Sequence, residues 1–126
     1  MIPILIFAGA GLGGVLRFYV GGWIQASAGA SLPWGTFVVN LTGSMLLAFL
    51  FPLVEHYVPA PEWRAFVAVG FFGGYTTFST FSYESVRLMQ EGAWLRAATY
   101  VVASVLLCLL GTAVGFRAGA AVLPRP

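Results

Sequence analysis

The sequence predicts an all-α membrane protein with four transmembrane helices, of which the third is broken in the middle of the membrane. Of the 126 residues, 60% are hydrophobic and only 8% are charged, and the mean hydropathy is +0.91. In soluble domains about 25% of residues are charged. A compact core of this size cannot hide so much apolar surface from water, so we expect the excess to face lipid. The whole chain, 1–126, is predicted to form one transmembrane domain.

Four apolar stretches are long enough to cross a bilayer, for which about 20 residues are needed. We expect the spans to cover approximately residues 2–25, 34–55, 63–89 and 95–118. The first contains Arg17, which would cost about 3 kcal/mol if left unpaired at the bilayer centre. Arg17 is therefore expected to reach an interface or to face a water-filled vestibule. Gly9 and Gly13 on the same helix predict close packing against another backbone.

The second span carries polar residues on one face of its helix. Thr36, Asn40 and Ser44 follow each other at intervals of four residues, which places them on one side. An amide in lipid must pair with a neighbouring helix or serve a pathway. Both interpretations of Asn40 remain open at this point.

The third span contains the segment most typical of a site. Gly70, Gly73 and Gly74 fall within five residues, and each weakens a helix by about 1 kcal/mol relative to alanine. The threonines and serines that follow can bond to nearby backbone, so we predict a break between Gly73 and Thr77. Broken backbone at membrane depth is tolerated only when it is buried in protein or lines a polar cavity. The segment is therefore a candidate functional site.

The fourth span carries a second row of polar side chains. Tyr100, Ser104, Cys108 and Thr112 recur every four residues along one flank of the helix. The row is interpreted as a polar track, although hydroxyls can also bond back to the carbonyl four residues earlier. Cys108 is the only cysteine, so it has no partner within the chain for a disulfide, and a small core residue is its simplest role.

The arginines give no preferred orientation in the membrane. Each side of the four-span topology carries three arginines if Arg17 reaches forward: Arg64, Arg117 and Arg125 on one side, and Arg17, Arg87 and Arg96 on the other. The positive-inside rule orients a protein by a difference in this count. With no difference the chain can insert either way up, which permits an antiparallel homodimer whose broken helices meet on a two-fold axis.

The polar groups suggest which solutes could pass. Hydroxyl and amide groups donate hydrogen bonds to anions, and the edges of Phe78 and Phe81 do so weakly, although core packing is the simpler interpretation of both rings. Carbonyls freed by the break would instead suit a cation such as Na⁺. A proton-coupled exporter of organic cations needs an intramembrane acid, and Glu84, the closest, lies toward the end of its span. The chain has no ATP-binding motif, no basic patch for nucleic acid, and no enzyme signature.

Three motifs resemble the Fluc (CrcB) family of fluoride channels. They are Gly13 to Phe18, Gly35 to Asn40 and, most specifically, Gly73 to Phe81. This resemblance implies a fluoride-selective channel for passive efflux across the inner (plasma) membrane, which lowers cytoplasmic fluoride. It also implies a dual-topology homodimer with two antiparallel pores and one structural Na⁺ at the subunit interface.

The resemblance further implies roles for individual residues. Na⁺ would be held by the backbone carbonyls of Gly73 and Thr76, with Arg17 in a vestibule. The fluoride pathway would contain Asn40, Phe78, Ser79, Thr80, Phe81, Tyr100, Ser104, Cys108 and Thr112. Cys108 departs from the expected hydroxyl, because a thiol is a poorer donor. The alternatives are a small dual-topology multidrug or cation exporter and a structural membrane subunit without transport.

Overall fold

A computed structural model describes residues 1–58 and 60–124. Arg125, which entered the arginine count, lies outside the described residues, as do Pro59 and Pro126. The chain forms helices α1 (Ile2–Ala28), α2 (Trp34–Tyr57), α3 (Pro61–Arg64), a π-helix (Ala65–Phe72), α4 (Gly73–Tyr75), α5 (Phe78–Gln90) and α6 (Trp94–Val122). The third span thus consists of α3, the π-helix and α4 as one run, followed by α5 after a break.

Within the described residues, α1, α2 and α6 are each long and apolar enough to cross a membrane. Their outward apolar side chains are exposed; Phe7 is 82% and Leu95 81% exposed. Val39, Phe72 and Tyr75 form the central buried cluster, and Val39 is fully buried. A small core with a large apolar exterior is the arrangement expected of a multi-pass membrane protein, in which lipid covers the outer faces.

The helices extend a few residues beyond their expected ends, and the end of α1 shows why. α1 continues past Gln25 to Ala28 and stops at Gly29, whose φ of 83° is the left-handed conformation that glycine adopts readily. The Gln25 amide then holds the connector to α2. Its Nε2 donates to the carbonyls of Gly29 at 2.7 Å and Leu32 at 3.1 Å, and its Oε1 accepts from the Gly35 N–H at 3.1 Å.

Glycines allow the helices to pack closely at two places. α1 packs on the π-helix and α4, while α2 packs on α6. At Gly115 an added Cβ would collide with the Met45 carbonyl of α2, and at Gly119 with that of Phe49. Small residues at such crossings let backbones approach and gain dispersion contacts in lipid.

Nothing in the sequence predicted the wider π conformation of residues 65–72, which is frequent near functional sites.

Gly13 gives a direct test of this packing. A Cβ there would collide with the carbonyl oxygen of Phe71 and lie 2.8 Å from the Tyr75 nitrogen. Backbone atoms cannot move aside as a side chain can, so Gly13→Ala is expected to cost about 1–3 kcal/mol through overpacking. The measurement is the thermal unfolding temperature of the detergent-purified protein.

Gly11→Ala is the matched control for Gly13→Ala. Gly11 lies on the same helix, and an added Cβ meets nothing within 4 Å. Both variants gain the same intrinsic helix propensity, so only the packing differs. Equal unfolding temperatures for the two variants would show that α1 does not need this close approach.

Candidate functional site

The third span breaks at Thr76 and Thr77. This confirms the predicted break and places it at the C-terminal end of the predicted range, Gly73 to Thr77. Both residues have extended backbone, with φ/ψ of −82°/156° at Thr76 and −149°/108° at Thr77. Of the two expected causes, the hydroxyl bonds to nearby backbone are present at Thr77, whereas the glycine contribution was wrong, since Gly73 stays helical with φ/ψ of −63°/−34°. Gly74 serves packing, because a Cβ there would collide with the carbonyl of Ala10 in α1.

The break is held by side chains that replace missing backbone partners. The Thr77 N–H donates to Asn40 Oδ1 at 2.7 Å, and Asn40 Nδ2 donates to the Thr77 carbonyl at 3.0 Å. Thr77 also caps α5, since its Oγ1 accepts from the Thr80 N–H at 3.2 Å. Both interactions satisfy backbone groups that would otherwise be costly at membrane depth. Asn40 therefore positions the break and, with its second N–H, can still donate to a solute.

These two interactions free a specific pair of carbonyls. In a continuous helix the N–H of Thr77 would pair with the Gly73 carbonyl, and that of Thr80 with the Thr76 carbonyl. Both N–H groups instead bond to side chains. Freed carbonyl oxygens are suitable ligands for a hard monovalent cation, so Gly73 and Thr76 fit the chemistry expected for a Na⁺ site.

A cavity of about 330 Å³, here called the inner cavity, lies beside the break. Its polar lining comes from Asn40, Ser44, Thr76, Thr77, Ser104 and Cys108, and its aromatic lining from Phe78 and Phe81. No acidic or basic residue is among the described residues that line it. The structure thus brings uncharged polar groups of α2, the break and α6 to one place.

The two predicted rings differ in their surroundings. Phe81 is 8% exposed and Phe78 is 77% exposed. Their centroids are 5.5 Å apart at an interplanar angle of 44°, and Phe81 lies 5.3 Å from the Tyr100 ring at 50°. Phe81 is therefore packed between two tilted rings, whereas Phe78 borders the open side of the inner cavity.

Of the row on α6, Ser104 and Cys108 line the inner cavity, whereas Tyr100 and Thr112 do not. The buried Tyr100 donates from its hydroxyl to Glu84 Oε2 at 2.8 Å. Ser104 is 5% exposed, and its Oγ is the one buried side-chain polar atom without a hydrogen-bond partner in the part of the chain described. Cys108 lines the inner cavity. The Thr112 hydroxyl donates to the Cys108 carbonyl at 2.8 Å, which is the alternative considered for this row. Thr112 does not line the inner cavity.

A second cavity, here called the outer cavity, measures about 430 Å³. Its lining includes Arg17, Thr36, Thr80 and Glu84. Thr77 lines both cavities and therefore lies between them. Ser79 lines neither cavity; it is exposed, with its Oγ 3.3 Å from Thr77 Oγ1.

Glu84 is the main residue that sequence reasoning set aside. Its Oε1 accepts from Thr36 Oγ1 at 2.9 Å and its Oε2 from Tyr100 at 2.8 Å, so it links α2, α5 and α6. Because α5 begins only at Phe78, the carboxylate reaches the outer cavity rather than the end of the helix. The available signal was that Glu84 is the only acidic residue in the span 63–89, since acids within membrane spans are rare and usually functional.

The fold defines a small multi-pass membrane protein in which a cavity lined by uncharged polar groups lies beside a broken helix. A family profile described as "CrcB-like protein, Camphor Resistance (CrcB)" matches residues 4–116. The chain belongs to this family, which confirms the resemblance seen in the three motifs.

Bacterial relatives carry a more specific name. The chain is 45% identical over 113 residues to a protein of Rhizobium meliloti, covering 89% of this chain and 90% of the relative. It is 42% identical over 119 residues to one of Rhodospirillum rubrum, with 91% and 92% covered, and 41% identical over 120 residues to one of Thermus thermophilus, with 95% and 94% covered. Each relative is named "Fluoride-specific ion channel FluC".

Proposed function

We propose that this protein is a fluoride-selective channel that lets fluoride leave the cell passively through the plasma membrane. The observation that carries the proposal is the buried hydroxyl of Ser104, which has no hydrogen-bond partner among residues 1–58 and 60–124 and belongs to a residue that lines a cavity of neutral donors. Fluoride is small and strongly hydrated, so a pore must replace its water with several directed donors that still release it. Uncharged hydroxyl and amide groups meet this condition. The names of the relatives support the same ion.

The two cavities suggest a path for the ion. In the outer cavity Arg17 attracts an anion from water, and the hydroxyl of Thr80 lies on the way to Thr77. From Thr77 the proposed path enters the inner cavity, where Asn40 and Ser104 would donate and Phe81 forms part of the wall. Cys108 contributes a weaker donor at the far side. In this path Thr112 and Ser79 are supporting residues.

The functional unit we propose is an antiparallel homodimer with two pores. Phe78 is 77% exposed although it borders a polar cavity, and a second copy would cover both the ring and the cavity. Equal numbers of arginines on the two sides allow copies of opposite orientation. A two-fold axis in the membrane plane then brings the two breaks together.

We assign the Na⁺ ion to this axis as a structural component. Each chain offers the freed carbonyls of Gly73 and Thr76, and two copies together offer four oxygens around one point. Oxygen dipoles of this kind replace the hydration shell of a small cation. The ion would hold the two broken helices against each other and would contribute no ligand to the fluoride path.

Reconstitution into liposomes tests the proposed function. Vesicles loaded with fluoride and made permeable to K⁺ are expected to lose fluoride rapidly when the protein is present, as measured with a fluoride electrode. Vesicles loaded with chloride should retain it, because a larger halide gains less from small directed donors. Fluoride retention equal to that of protein-free vesicles, or equal loss of both halides, would contradict the proposal.

A proton-coupled exporter of organic cations is the second candidate function. Glu84 favours it, because a partly buried acid in a cavity can exchange a proton for a cation. Both of its oxygens are engaged by Thr36 and Tyr100, however, which ties the carboxylate to the protein. Uptake of an organic cation that depends on a proton gradient, without fluoride efflux, would establish this candidate instead.

A further inference from the structure

The sulfur of Cys108 lies where the rest of the row on α6 has hydroxyls. Cys108 is half-buried and lines the inner cavity together with Ser44 of α2 and Ser104, which precedes it by one helical turn. It is the chain's only cysteine. Any thiol chemistry of this protein is therefore confined to the inner cavity.

The neighbouring serine independently points to a place for a small polar species in this cavity. Ser104 is 5% exposed and its Oγ has no hydrogen-bond partner within the described residues. An unpaired buried hydroxyl is costly, so its hydrogen bond is available to a molecule or ion inside the cavity. At about 330 Å³, the cavity holds more than one water-sized molecule, a water occupying about 30 Å³ in the liquid. The cavity therefore has room beside Cys108 for a reagent with a few heavy atoms.

We propose that the Cys108 thiol is a modification site for small uncharged sulfur electrophiles, and that a thiomethyl group attached there closes the inner cavity to anions. The occlusion part of this inference rests on the proposed channel function. The modification part rests only on the cavity and its thiol.

The chemistry is a simple thiol exchange with methyl methanethiosulfonate as the probe. Cys108 loses its proton to water, and the thiolate attacks the methylthio sulfur of the reagent. A new S–S bond forms, the bond between that sulfur and the sulfonyl sulfur breaks, and methanesulfinate leaves. Since the thiolate is the nucleophile, modification is expected to be faster at higher pH. A thiol reductant reverses it.

The modified side chain would oppose anion passage in two ways. It loses its S–H, so one of the cavity's donors disappears. It also places an apolar methyl group beside Ser104, where an ion would exchange its hydration for hydrogen bonds. Loss of a single such interaction corresponds to about a tenfold change in rate, so we expect at least a tenfold fall in efflux.

The experiment uses the full-length protein in liposomes with two readouts. Fluoride efflux is measured before reagent, after reagent and after reductant, and intact mass spectrometry follows addition of one thiomethyl group. We expect loss of efflux in step with the mass change, and recovery of both on reduction. Each protein is compared with its own untreated rate, because replacing a pore residue changes the rate itself.

Two variants locate the effect. Cys108→Ser should gain no mass and keep its own rate in the presence of reagent. In that background, Leu106→Cys places a thiol at a side chain that is 55% exposed and lies outside the inner cavity. It should gain mass and keep its own rate, which shows that attachment to the outer surface is harmless.

The outcomes separate the two proposals. Fluoride efflux that continues unchanged after complete modification of Cys108 would overturn the occlusion while leaving the channel function standing. Failure of Cys108 to gain mass at alkaline pH, while Leu106→Cys does, would overturn the modification site. No efflux before any treatment would instead overturn the channel function and the occlusion with it, and the mass readout would still decide the modification site.

Discussion

Replacing Asn40 by aspartate is expected to reduce fluoride efflux by about a hundredfold or more. The carboxylate keeps an acceptor for the Thr77 N–H but loses the amide donor that holds the Thr77 carbonyl at 3.0 Å. It also places a negative charge in the uncharged inner cavity. Like charges about 4 Å apart repel by about 4 kcal/mol at an effective dielectric constant near 20, which exceeds the 2.8 kcal/mol or so of a hundredfold change.

The control for Asn40→Asp is the same chemical change at an exposed position outside the inner cavity. Gln90→Glu also converts an amide to a carboxylate, but Gln90 is exposed at the end of α5. It should conduct at the wild-type rate. Both variants are checked by gel filtration for intact assembly. If a well-assembled Asn40→Asp protein conducted normally, the anion path would have to lie away from the inner cavity.

Phe81→Ile is expected to lower fluoride efflux by about tenfold or more without disrupting assembly. Isoleucine keeps the residue apolar and of comparable bulk, so packing costs remain small. It removes the ring that lies 5.5 Å from Phe78 and 5.3 Å from Tyr100. Aromatic edges interact with neighbouring electron-rich groups by about 0.5–1.5 kcal/mol, and both the ring contacts and any edge contact to an ion disappear together.

Efflux and gel filtration of Phe81→Ile are compared with those of Phe7→Ile. Phe7 is 82% exposed on α1, so its replacement changes only a lipid-facing side chain and should leave efflux unaltered. If Phe81→Ile conducts as well as Phe7→Ile, the buried ring serves the core alone, which is the simpler interpretation offered by its position in the sequence.

The parts of the fold that depend on the length of apolar segments were predictable from the sequence. Apolar length alone indicated the four spans, because about 20 residues are needed to cross the hydrocarbon layer. The position of the break was also within reach, since Thr76 and Thr77 favour extended and capping conformations. The capping by Thr77 was predictable too, but the contribution of Asn40 was not, because Asn40 is 37 residues away. Local propensity directed attention to the glycines, which in fact stay helical.

The candidate site shows the same division between local pattern and tertiary contact. The spacing of the row on α6 correctly placed Ser104 and Cys108 on one cavity. It could not show that Thr112 uses its hydroxyl on its own helix. Nor could spacing show that Glu84 reaches Thr36 and Tyr100, because those hydrogen bonds depend on how three helices cross.

The reliance of the break on Asn40 also has a consequence for biosynthesis. Thr77 leaves the ribosome after α2 has been made. The Asn40 side chain, which binds the Thr77 backbone, is therefore already present when the third span enters the membrane. If a rearranged gene placed α2 after the third span, that span would enter the membrane before Asn40 could bind Thr77. The order of translation thus makes the Asn40 side chain available when the segment that it binds enters the membrane.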